Sequence, residues 1–277
     1  MLNKFFIEEH VKKALQEDIG FGDITTDYLT GDSDRIYCQL NSRADGIFCG
    51  KDVFETVFRV LTDEIEIRFF KNDGDVIVKG DRIADIKGPA KAVLMGERTA
   101  LNYIQRMSGI ATETNRYMKE ISDFKAKIAD TRKTTPLFRA FEKYAVKTGG
   151  GSLHRFNLSD CAMIKDNHIK YAGSITNAVN NLRKNISHVH KIEVECDTYE
   201  QVKESLGCGA DIIMLDNMSI DEMKKCVDLI NGNAVVEASG NVNLNTIRDI
   251  ASTGVDIISS SAIVAKAPTL DLGIDCV

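Results

Sequence analysis

No apolar run in this chain approaches the ~20 residues that span a bilayer, and the amino-terminal MLNKFFIEEH has neither a long apolar segment nor a small-residue cleavage site. A cytoplasmic protein is expected, with no membrane partner. Zinc knuckles and disulfide frameworks are equally unsupported: the seven cysteines are an odd number and none stands in a Cys-x-x-Cys pair. Cys161 and Cys196, within apolar runs, read as reduced core thiols. Also missing is a basic tract interleaved with aromatics, the kind that binds single strands. With a net charge of −6, the chain has no general pull toward nucleic acid. What is present is an ordinary globular composition, 277 residues with 43% hydrophobic and 27% charged, enough for one large domain or two smaller ones.

Against that acidic background, residues 130–170 are locally basic. Eight cations (Arg132, Lys133, Arg139, Lys143, Lys147, Arg155, Lys165, Lys170) face four acids (Asp130, Glu142, Asp160, Asp166). Arg139, Lys143 and Lys147 share one helical face and fit a solvated basic surface. The others fit it less well. Arg132 and Lys133 follow the apolar run 126–129, Arg155 follows a triple glycine, and Lys165 follows 162–164, so they stand at strand ends and in tight loops, where scaffolds present functional groups. A small anionic ligand is expected there.

In chain order, the pattern predicts an amphipathic helix over 5–16, then EDIGFGDITTD, a glycine-broken turn. Strands are expected over 35–50 and 65–70 with a helix over 53–61 between them. The segment 71–94 alternates turns and short strands, punctuated by Gly74, Gly80 and Gly88, like half of a biotinyl-carrier sandwich, but no lysine stands alone at a hairpin tip. Residues 92–121 are helical in spacing, with Gly109 as a break or close-packing point; Arg98 and Arg106 lie on this helix, and Arg106 reads as a surface ion pair. Beyond residue 123, six short apolar segments (127–129, 161–164, 192–196, 211–215, 235–238, 256–258) each end in polar residues and lead into a helical stretch. Six strands alternating with helices predict a parallel sheet closed, or nearly closed, into a barrel, with the active site at the carboxyl ends of the strands.

Two carboxylates stand at those ends on the side that carries the cations. In IEVECD, Glu193, Glu195 and Asp197 share one face, so Glu195 can point into the barrel; Asp216 ends IIMLDN. Glu195 in an internal salt bridge to Lys165 or Arg132 is the plain alternative. The chemical one is a hard divalent cation, since Mg2+ takes one or two carboxylates plus substrate phosphate oxygens. Backbone amides of Ser239, Gly240 and Asn241, and of Ser259, Ser260 and Ser261, offer seats for phosphate.

The motifs DTRKTTP, EKYAVKTGGG, HR, LSD, IKDNH, EVECDT, LDN and VEASGN, in this order, with EDIGFGDITTD and ERTALN upstream, resemble those of the quinolinate phosphoribosyltransferases, also called nicotinate-nucleotide pyrophosphorylases (carboxylating). The likeness runs through nearly the whole chain. It implies an α/β fold: an N-terminal α/β sandwich domain (1–108), then an incomplete parallel α/β barrel of the type II phosphoribosyltransferase kind (109–277), whose last residues can pack back on the first domain. It implies transfer of phosphoribosyl from phosphoribosyl pyrophosphate to quinolinate with loss of CO2, a need for Mg2+, and a homodimer or higher assembly. Carried onto this chain, Lys133, Lys165, Glu195 and Asp216 are the catalytic candidates, and Glu195 and Asp216 hold the metal. Arg132, Lys133, His154, Arg155 and Lys165 line the quinolinate pocket, with Arg98 reaching it from a partner subunit, while Ser239, Gly240, Asn241 and Ser259 to Ser261 hold the 5-phosphate.

The chain departs from that pattern in places. Leu137 stands after Pro136 where glycine is common, Leu153 precedes His154 where asparagine is common, and SSSAIVAKAP replaces a glycine, threonine, histidine and serine arrangement. The last change makes Lys266 a candidate phosphate contact. Three rivals are open: a Schiff-base aldolase using Lys133 or Lys165, a non-catalytic sensor of pyridine carboxylates or nucleotides, and the related proteins encoded with molybdate transporters.

Overall fold

The computed structural model describes residues 2–277, and these fall into two units. The first takes in the chain through Asn115 with Pro136–Gly150 and Ala267–Val277; the second is Arg116–Thr135 with Gly151–Lys266.

In the first unit, α1 (Lys4–Ile19) starts where the Asn3 side chain accepts the Phe5 amide. It precedes the short α2 (Thr26–Leu29). Strand β1 (Arg35–Ser42) alternates, burying Cys38, Leu40 and Ser42. The strand expected over 35–50 breaks in two: a turn after Ser42 leads to β2 (Gly46–Ile47). Then come α3 (Lys51–Leu61), β3 (Glu66–Phe69), β4 (Val76–Ile77) and β5 (Arg82–Pro89). Helix α3 buries Val53, Phe54, Val57 and Phe58, and Phe54 lies edge-on to both Phe58 and Phe69. Helix α4 (Ala90–Glu120) runs unbroken through Gly109. That glycine is a close approach instead, since a Cβ there would stand 1.9 Å from the Pro268 carbonyl oxygen.

After β6 (Lys127–Ala129), helix α5 (Arg139–Thr148) belongs to the first unit. It corrects two expectations. Lys143 is 2% exposed, so the basic face is not solvated throughout, because α5 packs Phe141 into a ring cluster with His10, Tyr103 and Phe138. Arg106 is not a surface pair either: its guanidinium lies 2.8 Å from fully buried Glu142 and donates to the Ala267 carbonyl.

The second unit adds β7 (Ala162–Ile164), α6 (Asp166–Ala172), α7 (Ile175–Asn185), β8 (Ile192–Cys196), α8 (Tyr199–Gly207), β9 (Ile212–Asp216), α9 (Ile220–Ile230), β10 (Val235–Ser239), α10 (Ile247–Ser252), β11 (Ile257–Ser259) and α11 (Ala262–Ala265). The six strands are parallel in the order β6-β11-β10-β9-β8-β7, and Ser152 adds a single parallel bridge to Ala129 beside β6. Each lies within about a residue of its expected place. Alternation divides the faces: Val194, Cys196, Ile213, Leu215 and Ala238 are fully buried, while Glu195, Met214 and Glu237 stand side by side in register.

The last strand, β12 (Leu272–Cys276), returns to the first unit and completes the antiparallel sheet β12-β1-β5-β3; β2 and β4 pair separately. Register sets Cys276 opposite Cys38, and the two form a disulfide across 238 residues of chain. One such bond stands where the sequence supported no disulfide framework, because spacing along the sequence carries no trace of a pairing made by strand register. Cys161 and Cys196 are both free thiols; Cys196 is buried as expected, whereas Cys161 is only half-buried.

Candidate active site

The carboxyl ends of the six parallel strands open into a cavity of about 710 Å3. It is lined by Arg132, Lys133, His154, Arg155, Lys165, Glu195, Asp216, Ser239, Gly240, Asn241, Ser259, Ser260, Ser261 and Lys266. Of the candidate residues, only Arg98 is elsewhere: it is exposed on α4, in the first unit. The sequence reading did not single out Thr131, Met163, Met214, Asn217, Val242 and Ala262, which complete the wall. Met163 and Met214 have the inward phase of the strand alternation, which is the signal that marks them.

Each strand end presents its side chain for a local reason. After β6, the Thr131 hydroxyl accepts the Lys133 amide, and the Thr134 amide bonds the Arg132 carbonyl, turning the DTRK segment over the sheet edge. Lys165 ends β7 and caps α6, its amide donating to His168 Nδ1 at 3.0 Å. Its ammonium pairs with the Glu195 carboxylate from the neighbouring strand, so the expected internal salt bridge exists and lies in the cavity wall.

Asp216 and Ser239 oppose each other in register at the ends of β9 and β10. Both strands leave through left-handed turns, at Asn217 (φ 53°) and at Gly240 and Asn241 (φ 96° and 51°). The turns touch: the Asn217 amide bonds the Ser239 carbonyl at 3.0 Å, and a Cβ on Gly240 would stand 2.1 Å from the Asn217 side chain. Only glycine fits there. The loop after β11 is fixed by the Ser260 amide donating to the Ala129 carbonyl, with Ser259 and Ser260 buried.

Five cations and two carboxylates thus share one cavity, a field suited to a ligand with several negative charges. Glu195 and Asp216 supply hard oxygens from adjacent strands, and Asp216 accepts a neutral amide donor from Asn217. This donor set fits Mg2+ completed by phosphate oxygens and water.

Beneath the cavity floor lie two acids whose roles the sequence left unread. Glu193 and Glu237, 1% and 4% exposed, each bring Oε1 to 3.4 Å from His154 Nε2. Burial pulls the imidazole toward its neutral form, while the two carboxylates favour the charged one. The other ring nitrogen opposes a second proton, because the Arg155 amide donates to Nδ1 at 2.7 Å. The amide contact is the more direct constraint, so the ring proton sits on Nε2. Burial holds the Glu193 carboxyl above the ordinary carboxylate range. These three side chains bring ligand atoms within 4.8 Å of one another, as a metal site would. A protonated Nε2 has no lone pair for an ion.

The model of the "Quinolinate phosphoribosyl transferase, N-terminal domain" matches residues 23–108, and that of the C-terminal domain matches residues 110–275. A "Probable nicotinate-nucleotide pyrophosphorylase [carboxylating]" of Bacillus subtilis is 41% identical over 275 residues, 99% of this chain and 92% of that one. The crystal structure of a nicotinate-nucleotide pyrophosphorylase from Ehrlichia chaffeensis superimposes with a TM-score of 0.93 at 43% identity, covering 97% of this chain and 98% of that one. A Francisella tularensis counterpart reaches a TM-score of 0.96 at 38% identity, covering 100% and 98%.

Proposed function

Since this chain belongs to the quinolinate phosphoribosyl transferase family, we infer that it catalyses transfer of phosphoribosyl from phosphoribosyl pyrophosphate to quinolinate with decarboxylation. The products are nicotinate mononucleotide, pyrophosphate and CO2, in de novo NAD synthesis. The observation that carries this reading to the residues is the convergence of Arg132, Lys133, Arg155 and Lys165 with Glu195 and Asp216 on one cavity.

The chemistry follows from charge. The pyridine nitrogen attacks the anomeric carbon as pyrophosphate leaves, so the sugar turns cationic while the leaving group gathers negative charge. Lys133 and Lys165 meet the leaving group and the adjacent carboxylate, and Glu195 or Asp216 faces the sugar. Mg2+, held by Glu195 and Asp216, would neutralise pyrophosphate charge. The Ser239–Asn241 and Ser259–Ser261 turns hold the 5-phosphate with backbone amides other than that of Ser260, which is committed to the Ala129 carbonyl. Arg132 and Arg155 grip quinolinate's two carboxylates; an analogue lacking one would leave a guanidinium unpaired, which sets selectivity. Once the ring nitrogen is glycosylated, its positive charge accepts the electrons released as the neighbouring carboxylate departs, so no other electron sink is needed.

We place the enzyme in the cytoplasm; no helix among the described residues is long and apolar enough to cross a membrane. We also propose a homodimer or higher assembly in which Arg98 completes the partner's pocket. Exposed apolar Phe21, Ile24, Tyr28 and Leu29 support a self-associating surface. The Schiff-base alternative is not favoured: Lys165 is ion-paired with Glu195, whereas a nucleophilic amine has to be free of such a partner. The direct test incubates purified protein with quinolinate, phosphoribosyl pyrophosphate and Mg2+, with nicotinate as control acceptor. Nicotinate mononucleotide and CO2 from quinolinate alone are expected; no product would overturn the reading.

A further inference from the structure

We propose that His154, clamped by Glu193 and Glu237, is a positioning residue for Arg155, and that neither nitrogen of its ring is offered to the substrate. The substrate part of this proposal rests on the activity inferred above; the clamp itself rests on geometry alone.

Both ring nitrogens are already occupied by the protein. Nδ1 accepts the Arg155 amide at 2.7 Å. Nε2 faces Glu193 Oε1 and Glu237 Oε1, each at 3.4 Å, longer than an ordinary hydrogen bond, so the N–H stands between two carboxylates without closing on either. Those two oxygens are buried and reach no partner at ordinary hydrogen-bond geometry, so their attraction to the imidazole N–H between them is what offsets their burial. Glu193 lies on β8 and Glu237 on β10, the strands flanking β9. The ring therefore ties one side of the sheet to the segment carrying Arg155.

From the other side, the His154 amide donates to Asp130 Oδ1 at 2.8 Å and the Ser152 amide to the Ile128 carbonyl at 2.8 Å, which anchors the same segment to β6. Arg155 inherits its position from this clamp. Its guanidinium, at the cavity wall, donates to the Cys161 carbonyl at 2.9 Å and lies 3.5 Å from Met163 Sδ. A guanidinium gripping a planar carboxylate tolerates little displacement, so loosening the ring should be felt at quinolinate and not at the sugar phosphates.

The test compares Glu237→Leu with Glu237→Gln, which keeps an acceptor oxygen for Nε2–H. Glu237→Leu should raise KM for quinolinate about tenfold while KM for phosphoribosyl pyrophosphate stays within about twofold. Glu237→Gln should restore most of the loss. In an Arg155→Ala background, Glu237→Leu should add less than about twofold, since both changes act through one group. Equal rises in both KM values, or full additivity, would overturn the proposal. A second measurement needs no turnover and so separates failure of the clamp from failure of the activity assignment. In the 15N spectrum of the imidazoles, the signal lost in His154→Gln should show a bare Nδ1 and a protonated Nε2, unchanged by quinolinate. Two protonated nitrogens, or an Nε2 that moves on adding quinolinate, would refute it.

Discussion

Leu137 holds a left-handed backbone, φ 64°, with 87% of its surface exposed. That conformation costs an L-residue about 1–2 kcal/mol and glycine nothing comparable, so glycine is the residue this turn would take most easily. Leu137→Gly, which forfeits little burial, should raise stability by about 1 kcal/mol, less the entropy that glycine adds to the unfolded chain. Urea unfolding at unchanged slope is the measurement, and a loss of stability would show the conformation to be unstrained. Lys266 is the second residue whose departure from the family pattern acquires a place, in the cavity wall beside Ser259 to Ser261. Loss of a charge-assisted phosphate contact is worth about tenfold or more in affinity. Lys266→Ala should therefore raise KM for phosphoribosyl pyrophosphate by that factor and leave KM for quinolinate alone; an unchanged value removes the contact.

The amino ends of the parallel strands are stapled by carboxylates, and this governs their response to acid. Asp211, just before β9, accepts the Ile192 amide at 2.8 Å and the Arg183 guanidinium at 2.6 Å. Burial works against its charge, but these donors win and hold its pKa below the ordinary aspartate value. A depressed folded-state pKa adds stability above the unfolded value and loses it as pH falls through the folded one. The stability gap between the native chain and Asp211→Asn should therefore be widest above the ordinary aspartate range and close as pH falls through and below it; a constant gap would assign the effect to shape alone. At β12 the staple is covalent. In non-reducing buffer Cys276→Ser should cost about 2–4 kcal/mol, and a reductant should destabilise the native chain by as much while leaving the variant unmoved. A reducing cytoplasm would open this bond, leaving strand pairing to hold β12. The elements themselves were legible where periodicity was strong, as in α3 and the six parallel strands. Lys143 and Arg106 were misread because burial against another element is not written in the charge pattern of one helix.

At the scale of the whole molecule, the question is whether one chain suffices for one site. Arg98 lies on α4 in the first unit, and the cavity with its cations and acids belongs to the second. Mixing Arg98→Ala chains with Lys165→Ala chains, each inactive alone, should recover about a quarter of native activity if subunits exchange freely, because half the dimers then carry one intact site of two. No recovery would place Arg98 in its own subunit's pocket or outside any. The candidate residues were readable for a topological reason: in a parallel sheet every strand ends on the same side, so polar residues that close six separate apolar runs must meet.

Sequence alone determined the fold class, the anionic character of the ligand and the identity of most residues at the mouth, because hydrophobic period and strand-end chemistry are local properties. Only tertiary structure decided which atoms each nitrogen and carboxylate faces: that Lys165 meets Glu195, that His154 is held between Glu193 and Glu237, and that Cys38 meets Cys276. Those pairings depend on strand register and on which faces turn inward, quantities set by packing across the whole domain and absent from any single stretch of chain.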